Sequence, residues 1–214
     1  INDSVAAVIF EPVQGVAGAY DLSTDFLETI RTATHDNGVV MIADEVQSGV
    51  GRSGQFFAVQ THDIEPDVIT SAKALGGGIP CGAVMCSHDV AARFGPGDLG
   101  STFGGGPIAA AAISATIEAI EDEGLLGNVR EREAQIRECC VVGPVQTIHG
   151  MGLLLGLTCD RPASEVQSAL LEHDILTGTS SDPNVLRILA PLVLEATHVE
   201  HLAQALEAIA PRTD

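Results

Sequence analysis

The sequence predicts an α/β fold, a mostly parallel sheet with helices, followed by a smaller α+β domain. Three observations carry that expectation. Strand-length apolar runs alternate with helix-length amphipathic segments through the first hundred residues, the pattern of a parallel sheet. The run at 39–43, Val-Val-Met-Ile-Ala, is continuously apolar, as in a central strand covered on both faces. After Leu125 the pattern changes to helix, paired strands, helix, strands and a last helix, which divides the chain into 1–123 and 124–214.

The first strand is expected over 5–10, ending at Glu11-Pro12. A helix fits 23–36, with Phe26, Leu27, Ile30, Ala33 and Thr34 on one face and Asn37-Gly38 as a left-handed stop. The central strand at 39–43 ends at Asp44-Glu45, and two short strands are expected at 67–71 and 81–86. A Gly-rich stretch, Gly100-Ser101-Thr102-Phe103-Gly104-Gly105-Gly106, leads to an Ala-rich helix opened by Pro107, a residue suited to the first helical turn. Beyond it the pattern gives a helix over 125–139 and strands near 144–149 and 153–159. Capping boxes at Ser164-x-x-Gln167 and Thr197-x-x-Glu200 are expected to start the last two helices.

Composition narrows the function. The 214 residues carry 29 acidic and 10 basic side chains, a formal net charge of −19. So acidic a chain disfavours nucleic acid, whose phosphate backbone needs clustered cations, and anionic membranes alike. No apolar run approaches the ~20 residues of a membrane span. Five cysteines in no zinc or redox spacing indicate a reducing, cytoplasmic compartment. Lys73 is the only lysine, which fits either adaptation to high salt or replacement of Lys by Arg on an ordinary acidic background. The chain begins with Ile1 and enters an apolar run at once, so an N-terminal portion is expected to be absent from it.

Three residues stand where α/β sheets build ligand sites, at the carboxyl ends of strands. Glu11 follows Phe10, Asp44 follows Ala43, and Lys73 follows the strand ending at Ser71. Each acid alone reads equally as a turn or cap residue. The neighbours of Lys73 are small and apolar, a setting that disfavours the ammonium form and suits an amine nucleophile. Thr102 and Ser101 offer hydroxyls beside a helix N-terminus that favours anions. Glu11, Asp44, Lys73 and Thr102 are spaced 33, 29 and 29 residues apart. A strand-end acid, a strand-end lysine and a hydroxyl-bearing loop suit pyridoxal 5′-phosphate, with Asp on the pyridine nitrogen, Lys as Schiff base and hydroxyls on the phosphate. His198-x-x-His201 has helical spacing but lacks a third ligand, and no metal site is expected.

These stretches resemble the class III, fold type I aminotransferases, within them the acetylornithine and ornithine group. The resemblance rests on Glu11-Pro12-Val13-Gln14-Gly15, on the segment from Asp44 to Gly54, and on the segment from Ser71 to Gly78. Ser101 to Gly105 and Asn184 to Leu192 extend it over essentially the whole chain. It implies that Asp44 and Lys73 are catalytic, and that Asp44, Glu45, Val46, Gln47, Lys73 and Thr102 bind the cofactor. Val46 would pack on the ring and Gln47 approach the ring hydroxyl. Ser101, Arg187 and Glu11 would bind substrate, Arg187 through the bidentate pairing a guanidinium makes with a carboxylate. On its own residues, Arg187 reads equally as a solvated strand arginine. The resemblance further implies a homodimer in which Thr102 reaches the neighbouring subunit's cofactor. It implies transfer of the terminal amino group of an N-acetylornithine- or ornithine-like donor to 2-oxoglutarate. One departure bears on the donor: Val16 stands where many relatives have Glu, which keeps an aminomutase or a lysine-pathway aminotransferase open. A truncated, non-catalytic remnant is the alternative outside the enzymes.

Overall fold

Two four-stranded sheets organise the chain in a computed structural model that describes residues 1–2 and 4–210. The run starting at Ala7 forms β1 (Ala7–Phe10), followed by a hairpin of β2 (Val13–Gln14), the single turn α1 (Gly15–Gly18) and β3 (Tyr20–Asp21). Helix α2 (Thr24–Asp36) starts on Ser23, whose hydroxyl accepts from the Phe26 amide at 3.3 Å. It stops where Gly38 takes the left-handed conformation (φ 63°) that only glycine adopts without cost. Of its expected apolar face only Leu27 and Thr34 are buried, and Phe26 is 49% exposed.

Strand β4 (Val40–Asp44), a 3-10 turn (Ala58–His62), β5 (Val68–Ser71), a second 3-10 turn (Lys73–Gly76) and β6 (Ala83–Cys86) follow. The first sheet runs β1-β4-β5-β6. β1, β4 and β5 are parallel, whereas β6 pairs antiparallel to β5 and makes the sheet mixed. Then come the single turn α3 (His88–Ala91) and α4 (Pro107–Asp122), which presents the carboxylates of Glu118, Glu121 and Asp122 to solvent.

Helix α5 (Leu125–Cys139), β7 (Val145–Met151), β8 (Leu154–Cys159), α6 (Ala163–Leu171), β9 (Gly178–Thr179), β10 (Val185–Ile188) and α7 (Ala196–Ala208) complete the chain. The second sheet, β7-β8-β10-β9, is antiparallel throughout. Its apolar face packs on α5, α6 and α7 in one contiguous core that includes Val129, Leu157, Leu170, Leu186 and Leu206. The two expected capping boxes do not form. Helix α6 begins at Ala163 after Pro162, and α7 begins at Ala196, capped reciprocally by Glu195 and His198. In both places an earlier residue already has the extended or turn backbone of a cap, so Ser164 and Thr197 lie inside the helices. His198 thereby serves as a cap, its Nδ1 accepting from the Glu195 amide at 3.2 Å. No helix among the described residues is long and apolar enough to cross a membrane.

Candidate active site

Parallel pairing brings the strand-end residues together. Phe10 lies opposite Ala43 and Asp44 opposite Thr70, so Glu11, Asp44 and the segment entering Lys73 leave the same edge of the sheet side by side. Asp44 is half-buried. Its Oδ1 accepts from the Val46 amide and from the Thr70 hydroxyl, both at 3.1 Å, which fixes the carboxylate over the strand end. Thr70 carries no sequence signal for this task, because nothing in a β-branched strand residue says which acid will face it.

Lys73 opens the second 3-10 turn with φ 51°, the left-handed region, where a residue with a Cβ costs about 1 kcal/mol. The side chain is exposed. The apolar enclosure expected from its neighbours is therefore not present: Ala72, Ala74 and Gly76 are too short to cover a four-carbon side chain. An apolar cavity of about 740 Å³ lies behind this turn, between Ala74, Gly77, Thr116, Ile120 and Leu192, and Lys73 does not line it.

The turn after Asp44 splits its side chains by direction. Glu45 is fully buried, with Oε2 accepting from Ser48 at 2.5 Å and Oε1 from the Val59 amide at 2.8 Å. Burial, with a smaller contribution from the charge of Asp44, raises its pKa above the ordinary carboxylic value. The structure thus places Glu45 in the interior, tying the 45–49 turn to the 3-10 turn at 58–62, and gives it no exposed oxygen for a ligand. Val46 and Gln47 are half-buried. Gln47 leans over Gly15, where an added Cβ would fall 1.4 Å from its Oε1, so only glycine fits there. That same Oε1 is buried without a hydrogen-bond partner among the described residues. An orphaned amide oxygen beside a strand-end carboxylate fits a group with a hydroxyl and a ring nitrogen.

Gly15 gathers the substrate candidates. Its amide donates to Glu11 Oε2 at 3.1 Å, and its carbonyl accepts from Arg187 Nη1 at 3.0 Å. Arg187 also donates from Nε to the Thr179 carbonyl at 2.7 Å, which leaves Nη2 without a bond among the described residues. Leu186 and Ile188 point into the core and Arg187 to the other face, as the alternation predicts. Gly15 escapes the sequence reading because its role is one of close approach, visible only once Gln47 and Arg187 are in place.

Ser101 and Thr102 are not brought to this group. Both are exposed, in a turn closed by Gly104 N donating to Ser101 O at 3.3 Å, and no hydrogen bond among the described residues joins them to the strand ends. Phe103 beside them is 91% exposed. Among the described residues no three His, Cys, Asp or Glu cluster as a metal site.

The family model for aminotransferase class-III matches residues 1–210. The chain belongs to the class III aminotransferases. Acetylornithine aminotransferase of Methanocaldococcus jannaschii is 37% identical over 217 residues, covering 98% of this chain and 54% of that relative. Acetylornithine aminotransferase 1 of Bordetella pertussis is 40% identical over 207 residues, covering 94% of this chain and 52% of that one. Ornithine aminotransferase of Toxoplasma gondii superposes with a TM-score of 0.87 at 30% identity, covering 95% of this chain and 50% of that chain, and is described with partial occupancy of PLP at its active site. The chain spans about half the length of the curated relatives it matches. Class III aminotransferases are PLP-dependent, and the strand-end arrangement of this chain is the mostly parallel α/β framework of that fold.

Proposed function

We propose that the chain carries the lysine-bearing part of a pyridoxal-phosphate aminotransferase acting on acetylornithine- or ornithine-like donors, with 2-oxoglutarate as acceptor. The observation that carries this reading is that Asp44 and the segment entering Lys73 leave one edge of the parallel strands together, with Gln47 Oε1 unpartnered among the described residues. When bound, pyridoxal phosphate supplies a protonated pyridine ring able to hold the electron pair released at the substrate carbon. Asp44, oriented by Thr70 and Val46, keeps a negative charge at the ring nitrogen. Gln47 would hold the ring hydroxyl and Val46 would pack against the ring. The Nζ of Lys73 would accept the proton that leaves the substrate carbon and would donate it to the cofactor carbon that receives the amino group. Glu45 acts from the interior by holding the turn. Arg187 presents Nη2 to the substrate carboxylate, with Gly15 fixing its plane and Glu11 fixing Gly15. Ser101 and Thr102 serve the site of a second copy in a homodimer, Thr102 on phosphate and Ser101 beside substrate, which accounts for their exposure here. The cofactor residues up to 123 and the compact core from 124 onward act as two domains of one cytoplasmic enzyme.

A second reading, a different class III reaction, draws on Val16. This side chain is 60% exposed one residue from Gly15, so no carboxylate stands there to answer Arg187. A panel of amino donors separates the two.

The test uses protein expressed from its whole reading frame and supplied with pyridoxal phosphate. A visible absorption band that borohydride bleaches is expected, together with loss of both band and transamination in Lys73→Ala. A wild type with no band, and a variant that behaves like it, would overturn the assignment.

A further inference from the structure

The hairpin after Glu11 is a strap bound to the second sheet. The Val16 carbonyl accepts from Ser181 N at 3.0 Å, and the Gly18 carbonyl lies 2.8 Å from His149 Nε2. Asp21 Oδ1 accepts from Gly150 N at 3.0 Å. At its centre the ring of Tyr20 stacks on the His149 imidazole, with centroids 4.4 Å apart and planes 4° from parallel. The Tyr20 hydroxyl donates to Asp182 Oδ2 at 2.8 Å.

Asp182 belongs to the segment that follows β9, and that segment is itself braced. Asp182 Oδ1 accepts from Asn184 N at 3.0 Å, and Ser180 Oγ donates to the Asp182 carbonyl at 2.8 Å. Tyr20 therefore joins two stretches of backbone, the strap and the 178–182 segment. Each of them supplies one of the two carbonyls that hold Arg187: Gly15 O from the strap and Thr179 O from β9. Among the described residues no carboxylate pairs with this guanidinium, so its orientation rests on those two oxygens.

We propose that Tyr20 is a positioning residue for substrate: by clamping the strap to Asp182 and His149 it sets the plane of the Arg187 guanidinium and so the affinity for the donor's carboxylate. The inference rests on the reading of Arg187 as the carboxylate receptor. The phenol bonded to a carboxylate has its pKa raised, chiefly by that bond, and the Asp182 carboxyl is held below its ordinary value, first by the Asn184 amide and then by Tyr20. The clamp thus stays in one protonation state across the neutral range, and its effect is geometric.

Tyr20→Phe removes the bond to Asp182 and keeps the stacked ring, so the fold is retained. In the protein expressed from its whole reading frame and loaded with pyridoxal phosphate, KM for a carboxylate-bearing donor is expected to rise about tenfold, the loss of one hydrogen bond to a charged acceptor. The expected kcat, visible cofactor band and KM for a primary amine lacking the carboxylate are those of the wild type. Arg187→Ala should raise KM for the same donor and likewise spare the amine. An unchanged donor KM in Tyr20→Phe, with Arg187→Ala impaired, overturns the positioning role and leaves the aminotransferase reading intact. Equal losses on donor and amine show a general structural effect and overturn it too. A wild type with no cofactor band, or an Arg187→Ala variant with an unchanged donor KM, removes the functional reading itself and the inference with it.

Discussion

The antiparallel second sheet and the mostly parallel first sheet solve the same problem differently. Around β8 the side chains of Leu155 and Leu157 are fully buried under three helices, while Leu154 is buried on the other face against Val13 and Ala19. Around the first sheet the buried apolar cluster near the lysine turn comes down to Val50, Leu75 and Ile120, while Ile9, Val84, Leu99, Phe103 and Ile108 are more than half exposed. The residues with chemistry to offer sit in the second kind of surroundings and are braced from the first kind, through Arg187, Tyr20 and the strap. Rigidity and the proposed chemistry thus fall to different parts of the chain, joined where the strap meets the second sheet.

The sharpest way to break that comparison is to hollow the rigid side. Leu157→Ala removes a fully buried side chain from the second sheet and should cost about 2–5 kcal/mol, read from denaturant unfolding. A loss below about 1 kcal/mol would mean that this core is not the anchor. A smaller, pH-dependent effect is expected at Glu45. Its folded-state pKa is raised, so the folded chain holds that proton more tightly than the unfolded one, and stability falls as pH rises above the ordinary value of 4.5. The melting temperature of Glu45→Gln should therefore improve relative to wild type as pH is raised through that value. Parallel curves for the two proteins would show that the buried carboxyl carries no such linkage. The smallest effect is expected on the open side. Phe103→Ser, at a residue 91% exposed, should change the unfolding free energy by no more than about 0.5 kcal/mol. A large loss there would show that the Gly-rich segment is packed after all.

The elements with strong period or punctuation were legible in the sequence. The 39–43 run gives β4 at Val40–Asp44, and the helix expected over 23–36 agrees with α2 at Thr24–Asp36 within one residue. The antiparallel course of β6 was not legible, because a short apolar run has the same alternation in either direction. The two-residue strands β2 and β3 leave no periodic trace at all, and with them the strap was invisible. Asp44 and Lys73 could be placed at the ends of strands from the apolar runs that precede them. The inward turn of Glu45 could not, since it depends on the Val59 amide fourteen residues away in a segment without pattern. Tyr20, His149 and Asp182 lie up to 162 residues apart, and no local rule connects them.

The left-handed backbone at Lys73 has a consequence for how this position persists. Glycine would sit in that conformation without strain, so replacing the lysine by glycine relaxes the turn while destroying its chemistry. One dihedral angle thus sets the proposed role of the lysine against the ease of the turn, and the side chain present is the one the turn disfavours.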